Sequence, residues 1–159
     1  MATGLVGCTD DLDWCKDRNR ILAGFGEPSV TGRWRAHAFS FVPTFTGEAL
    51  LEVRGGYGAK TCYDDFQAEG CALVNGGLEM DGGWLVPKEP PDYAIRLQRS
   101  DLSRPWGIVT GGADNPAASG RRFLAANDDL VTVQRIRVTA GTPVRISFRA
   151  TAWRQGRKE

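Results

Sequence analysis

The segment from Thr142 to Trp153 constrains the fold more than any other part of this chain. Val144, Ile146, Phe148 and Ala150 alternate there with Arg145, Ser147, Arg149 and Thr151. Successive side chains of a strand point to opposite faces, so a period of two specifies a strand with one apolar face. That face needs a second layer to cover it, and the pattern recurs upstream. Arg35, His37, Phe39 and Phe41 share one face against Trp34, Ala36, Ala38 and Ser40. Ala49, Leu51 and Val53 oppose Leu50, Glu52 and Arg54. Pro43, which lacks an amide donor, ends the first of these strands.

Further strands are expected at Cys62–Phe66, Glu69–Val74, Tyr93–Gln98, Trp106–Val109, Gly120–Leu124 and Leu130–Thr139. In the last of these, Val131 and Val133 fall out of phase with Ile136 and Val138, which predicts a bulge near Gln134 or Arg135. Ala140-Gly141-Thr142-Pro143 reads as a hairpin turn into the final strand. The 20 glycines and 8 prolines separate short apolar stretches, the texture of a fold with many turns. Only Asp10 to Leu22 has helical spacing, with Leu12, Cys15, Asn19 and Leu22 on one face and acids at its start. About nine or ten short strands predict an all-β, jelly-roll-like antiparallel sandwich with a short helix near the N-terminus.

A length of 159 residues suits one domain over 1–159, with extended arms at 1–9 and 153–159. No apolar run approaches the roughly 20 residues that cross a bilayer. The start has no basic region leading into an apolar stretch, so export by a signal peptide is not expected. Residues 1–74 carry 7 basic and 10 acidic side chains, and residues 75–159 carry 13 and 9. This mild dipole lacks the basic clustering of a nucleic-acid footprint. Neither a membrane nor a nucleic acid is therefore an expected partner.

Cysteine occurs as two local pairs, Cys8 with Cys15 and Cys62 with Cys71. Two short-loop disulfides, thiols kept reduced, and a zinc site all remain open. The spacings of seven and nine positions are far from the pattern of zinc knuckles.

Enzyme chemistry finds little support. His37 is the one histidine and sits inside a strand. Asp64 and Asp65, as strand neighbours, point to opposite sides and make a poor acid/base pair. No phosphate-binding glycine loop, dinucleotide motif or metalloprotease motif is present. The expectation is a non-enzymatic protein.

Four segments together resemble carbohydrate-binding-module-like jelly rolls of the galactose-binding-like superfold. They are Asn75-Gly76-Gly77-Leu78-Glu79 with Gly83-Trp84, the run Val133 to Thr142, Trp34 to Phe39 with Gly47 to Val53, and Tyr63-Asp64-Asp65-Phe66. They stand in inverted order, because the acidic-pair strand that ends that family's domains here precedes the asparagine-glycine opening. Circular permutation within one chain is the expected explanation, with exchange of halves between chains as the rival. Residues 66–75 are then the new junction, which a Cys62–Cys71 bridge would brace.

The resemblance implies sugar binding, for which Trp14, Tyr57, Tyr93, Trp106 and Trp153 are the candidate stacking rings; Trp34 and Trp84 are assigned to packing. It also implies a structural Ca²⁺ held by Glu79 and by either Asp64 or Asp65, Asp65 being preferred, its shell completed by turn carbonyls of 75–77 or 119–121. Arg121 and Arg122 offer salt bridges in place of the ion. Phages reuse such sandwiches in accessory proteins, and no attached enzyme is expected for this chain. The first functional expectation is therefore a virion structural protein that decorates or cements a capsid or tail, assembled in the host cytoplasm. Its expected partners are capsid or other virion proteins and further copies of itself. A free-standing glycan-binding, lectin-like module is the alternative.

Overall fold

A computed structural model describes residues 33–53, 61–85, 107–126 and 132–153. Within them lie seven strands: β1 (Arg35–Phe41), β2 (Gly47–Val53), β3 (Thr61–Glu69), β4 (Gly107–Thr110), β5 (Arg122–Ala126), β6 (Thr132–Val138) and β7 (Val144–Ala152). Every pairing is antiparallel. One sheet has the order β1-β7-β3-β5-β4, and the second pairs β2 with β6. A bridge from Leu85 to Val133 extends the smaller sheet. The expected helix at Asp10–Leu22 and the strand at Tyr93–Gln98 lie outside the described residues, as do Cys8 and Cys15.

The two sheets pack face to face. Leu51, Val53, Ile136 and Val138 from the small sheet meet Tyr63, Phe66, Leu124, Val144, Ile146 and Phe148 from the large one. These are the apolar sets that alternation placed inward on β2 and β7. Phe66 sits between Trp84 and Phe148, with ring centroids 4.9 and 5.7 Å away. Such tilted and offset aromatic pairs contribute about 0.5–1.5 kcal/mol beyond the area they bury.

The expected bulge falls on a different strand. β6 alternates without interruption, and its inward positions are Thr132, Gln134, Ile136 and Val138. Gln134 keeps the phase by spending both ends of its carboxamide on one backbone unit. It accepts from Val74 N at 2.9 Å and donates to Val74 O at 2.8 Å. The bulge lies in β3, where Asp64 pairs with Arg149 but Gln67 pairs with Ser147, and Asp65 has φ +52°. β3 runs unbroken to Glu69, so Glu69–Val74 is not a separate strand. The turn at 140–143 also differs from a hairpin: β6 and β7 belong to different sheets, so it arches from one to the other.

Cys62 and Cys71 do not bridge one another. Cys62 opens β3 on the face away from the main core, while Cys71, beyond the far end of the strand, packs against that core. At about 3.3 Å of rise per strand residue the two lie far beyond disulfide reach. Burial pushes the Cys71 thiol above its ordinary pKa.

Candidate functional site

The β3 bulge re-aims two carboxylates toward one loop, the 111–121 connection between β4 and β5. Asp64 is fully buried. Its Oδ2 accepts the amides of Ala118 at 2.9 Å and Ser119 at 3.2 Å, and its Oδ1 accepts the amide of Asp65 at 2.7 Å. Asp65 accepts the Ser119 hydroxyl and lies 3.5 Å from Arg149 Nε. The expectation that these neighbours face opposite ways fails because the extra bulge residue breaks the alternation. Burial raises the Asp64 pKa to about 6, against the lowering effect of the amides it accepts from Ser119, Asp65 and Ala118.

Glu79 holds the far end of the same loop. Its Oε1 accepts the amides of Arg121 and Arg122, each at 2.8 Å. Those two amide bonds, Arg122 first, lower the Glu79 pKa. Gly120 lies directly beneath, at φ +60°, where a Cβ would approach Glu79 Oε1 to 2.3 Å. The Arg122 guanidinium turns to Asp81, 2.6 Å away, and not to Glu79. Backbone amides thus face Glu79, and the Ser119 hydroxyl and Arg149 guanidinium face Asp65. A Ca²⁺ shell would need six to eight oxygen ligands in place of these donors. Among the described residues no group of three or more His, Cys, Asp or Glu side chains is gathered for a metal.

The clamped loop folds over the outer face of the large sheet. A second apolar cluster lies there, formed by Cys62, Phe123 and Ala125, with Trp34, Val109, Ala117 and Trp153 packed partly buried against it. Trp34 stands edge-on to Phe123 at 5.9 Å, and Trp153 tilts onto it at 6.0 Å. The Trp34 indole Nε1 donates to Pro116 O at 3.0 Å, which ties the loop to the sheet. Between sheet and loop is a cavity of about 250 Å³. Its floor is Trp34, Cys62, Phe123, Thr151 and Ala152, and its polar rim is Arg33, Asp114 and Asn115. Thr151 is 8 % exposed, and its buried Oγ1 has no hydrogen-bond partner among the described residues.

Of the five expected stacking rings, Trp153 is at this cluster; Trp14, Tyr57, Tyr93 and Trp106 lie outside the described residues. Trp84 packs in the core as expected, 5 % exposed. Trp34 packs as well, but on the opposite face, against Phe123 in the second cluster, where it also lines the cavity. Its alternation partners are the small residues Ala36, Ala38 and Ser40, and an indole on an otherwise small-residue face was the legible signal. Thr151 and Phe123 carried no such signal, because their meeting depends on three strands joining through β3. His37 faces the core side, stacked on Phe148 at 5.5 Å, and burial followed by the charge of Arg35 lowers its pKa.

No family model, no curated protein and no solved structure matches this chain. The likeness to carbohydrate-module jelly rolls rests on the quoted segments alone.

Proposed function

We propose that the chain is a non-enzymatic recognition domain that takes a sugar unit in the cavity on the outer face of its five-stranded sheet. One observation carries this reading: Trp34 and Phe123 wall a cavity of the outer face that has Asp114 and Asn115 along its edge. Sugars offer an apolar ring face to aromatic side chains and hydroxyls to polar ones. Asp114 and Asn115 at the rim add groups that orient hydroxyls. A cavity of about 250 Å³ has room for one such unit and little more. Binding on a glycan array that is lost in Trp34→Ala and weakened in Asp114→Ala would support the reading. An array with no binder would remove it.

A second reading is decoration or cementing of a virion. It is favoured by exposed apolar side chains around the end of the small sheet: Val74, Met80 and Leu85 are each about 60 % exposed. Val74 is held against Gln134, and Leu85 against Val133, so both line the β6 edge. A rim of this kind suits docking on a protein shell. Co-sedimentation with assembled particles, abolished by Leu85→Asp, is the test. Both readings take the domain as a jelly roll permuted within one chain. The pairing of β1 with β7 and of β2 with β6, first half with second half, supports that topology.

A further inference from the structure

We infer that the glycan taken by this domain is acidic, and that its chain leaves the cavity along a lane between β1 and β7 where Arg149 and Arg145 bind its carboxylates. The inference rests on the proposed sugar site and names the class of its ligand, a uronate-bearing oligosaccharide.

The lane follows from the register of one strand pair. On β7, Val144, Ile146, Phe148 and Ala150 point into the core. Arg145, Ser147, Arg149 and Thr151 therefore point outward, and Thr151 lines the cavity itself. Across from them on β1, Ala36 pairs with Arg149, Ala38 with Ser147 and Ser40 with Arg145. Trp34, on the same face of β1, is a wall of the cavity. The floor that runs away from the indole is thus made of small side chains, beside two exposed guanidinium groups. The two arginines are about 13 Å apart at the rise of a strand. A ligand that meets both is longer than the single unit the cavity holds.

The charges along the lane suit an anion. The outward residues of β1 are Trp34, Ala36, Ala38 and Ser40, none of them a carboxylate. The acids near the arginines stand on the other side of β7, on β3. Asp65 lies 3.5 Å from Arg149 Nε, and Glu69 is across from Arg145 in register. A guanidinium has several N–H donors in a fixed fork. Asp65 takes the Nε side and orients the group, which leaves the two terminal nitrogens to meet a carboxylate in the paired geometry that suits arginine. Arg33 adds a third guanidinium at the cavity rim, where Asp114 and Asn115 supply the groups for hydroxyls.

Matched probes separate this inference from the sugar site beneath it. Isothermal titration calorimetry compares oligogalacturonate and hyaluronan oligosaccharides with the same chains after their carboxyl groups are reduced to alcohols. The acid form of at least one chain is expected to bind about tenfold or more tightly than its reduced form, the effect of one charge-assisted contact. Raising the ionic strength from about 0.05 M to about 0.5 M should shrink that gap. Arg145→Gln should shrink it severalfold, and so should Ala36→Glu, which sets a carboxylate in the lane opposite Arg149. Both positions are exposed, so neither variant disturbs the core. Equal affinity for the acid and reduced forms would overturn the inference and leave the sugar site standing, as would binding of neutral array glycans alone. A gap that both variants leave intact would overturn the lane. Equal affinity for a single-stranded RNA oligonucleotide would show a general anion-binding face and overturn the glycan assignment. No glycan bound at all would remove the sugar site and this inference together.

Discussion

Trp84 Nε1 donates to the main-chain oxygen of Asn75 at 3.0 Å, and this bond closes the 75–84 segment on itself. Asn75 sits in the left-handed region at φ +51°. Its carboxamide donates to Met80 O at 2.7 Å and Gly82 O at 2.8 Å, and accepts from Met80 N at 3.0 Å. The same segment delivers Leu78 to the core at full burial, with φ +62°, and carries Glu79 out to the loop clamp. The asparagine-glycine segment is thus the joint between the main core and the candidate site.

Asn75→Ala removes three side-chain hydrogen bonds and the residue type that best tolerates a left-handed backbone. A loss of about 2–4 kcal/mol is expected. Urea unfolding followed by tryptophan fluorescence measures it. A change below about 0.5 kcal/mol, the size of an ordinary surface substitution, would mean that the segment is held by other contacts.

Gln134→Leu tests the polar residue inside the sandwich. The leucine fills a similar volume but leaves both Val74 N–H and Val74 C=O without their side-chain partner. Expected destabilisation is about 1–3 kcal/mol. Unchanged or increased stability would show that water replaces the carboxamide at this site.

Gly70→Ala should be among the most damaging single substitutions in the described residues. Gly70 has φ +80°, and a Cβ there would lie 2.0 Å from Pro143 O, a backbone atom that cannot swing aside. The expected cost is about 3 kcal/mol or more, since strain and overpacking act together. Circular dichroism melting of the purified variant is sufficient to see it.

The pH dependence has opposite signs at the two clamps. The Asp64 pKa rises from 3.8 to about 6 on folding, so the folded chain holds that proton more tightly than the unfolded one. Its contribution to stability is therefore largest below pH 4 and declines as pH rises through 6. Glu79 is lowered, so its contribution is present above its ordinary 4.5 and is lost as pH falls through the folded value. Asp64→Asn should flatten the stability profile between pH 4 and 6 relative to wild type. A profile with the same slope in that window would show that Asp64 titrates elsewhere.

The donor clamp on Glu79 and Asp65 also makes a prediction about calcium. The melting temperature should be unchanged by millimolar Ca²⁺ or by a chelator, and lowered by Glu79→Ala, which strips the acceptor from the Arg121 and Arg122 amides. A calcium-dependent rise in melting temperature would mean that the ion displaces those donors.

What the sequence determined by itself is the strand character of β1, β2 and β7 and the inward face of β2 and β7. A period of two is a local property, and Val144, Ile146 and Phe148 declare it without reference to any partner. Local reading failed where a polar residue occupied an inward position, as Gln134 does, because its burial is made tolerable by Val74, sixty positions away in sequence. It failed again at Asp64 and Asp65, since one extra residue in β3 undoes the alternation that a strand pattern assumes. Sheet membership was decided only by the tertiary structure: whether 140–143 folds β7 back beside β6 or across to β1 and β3 depends on which faces remain to be covered. The cavity belongs to the same class. Trp34, Cys62, Phe123 and Thr151 come from four strands or their ends and share nothing in sequence spacing. They meet because β1, β7, β3 and β5 are neighbours in one sheet, and hydrogen bonding between distant segments, not local preference, sets that order.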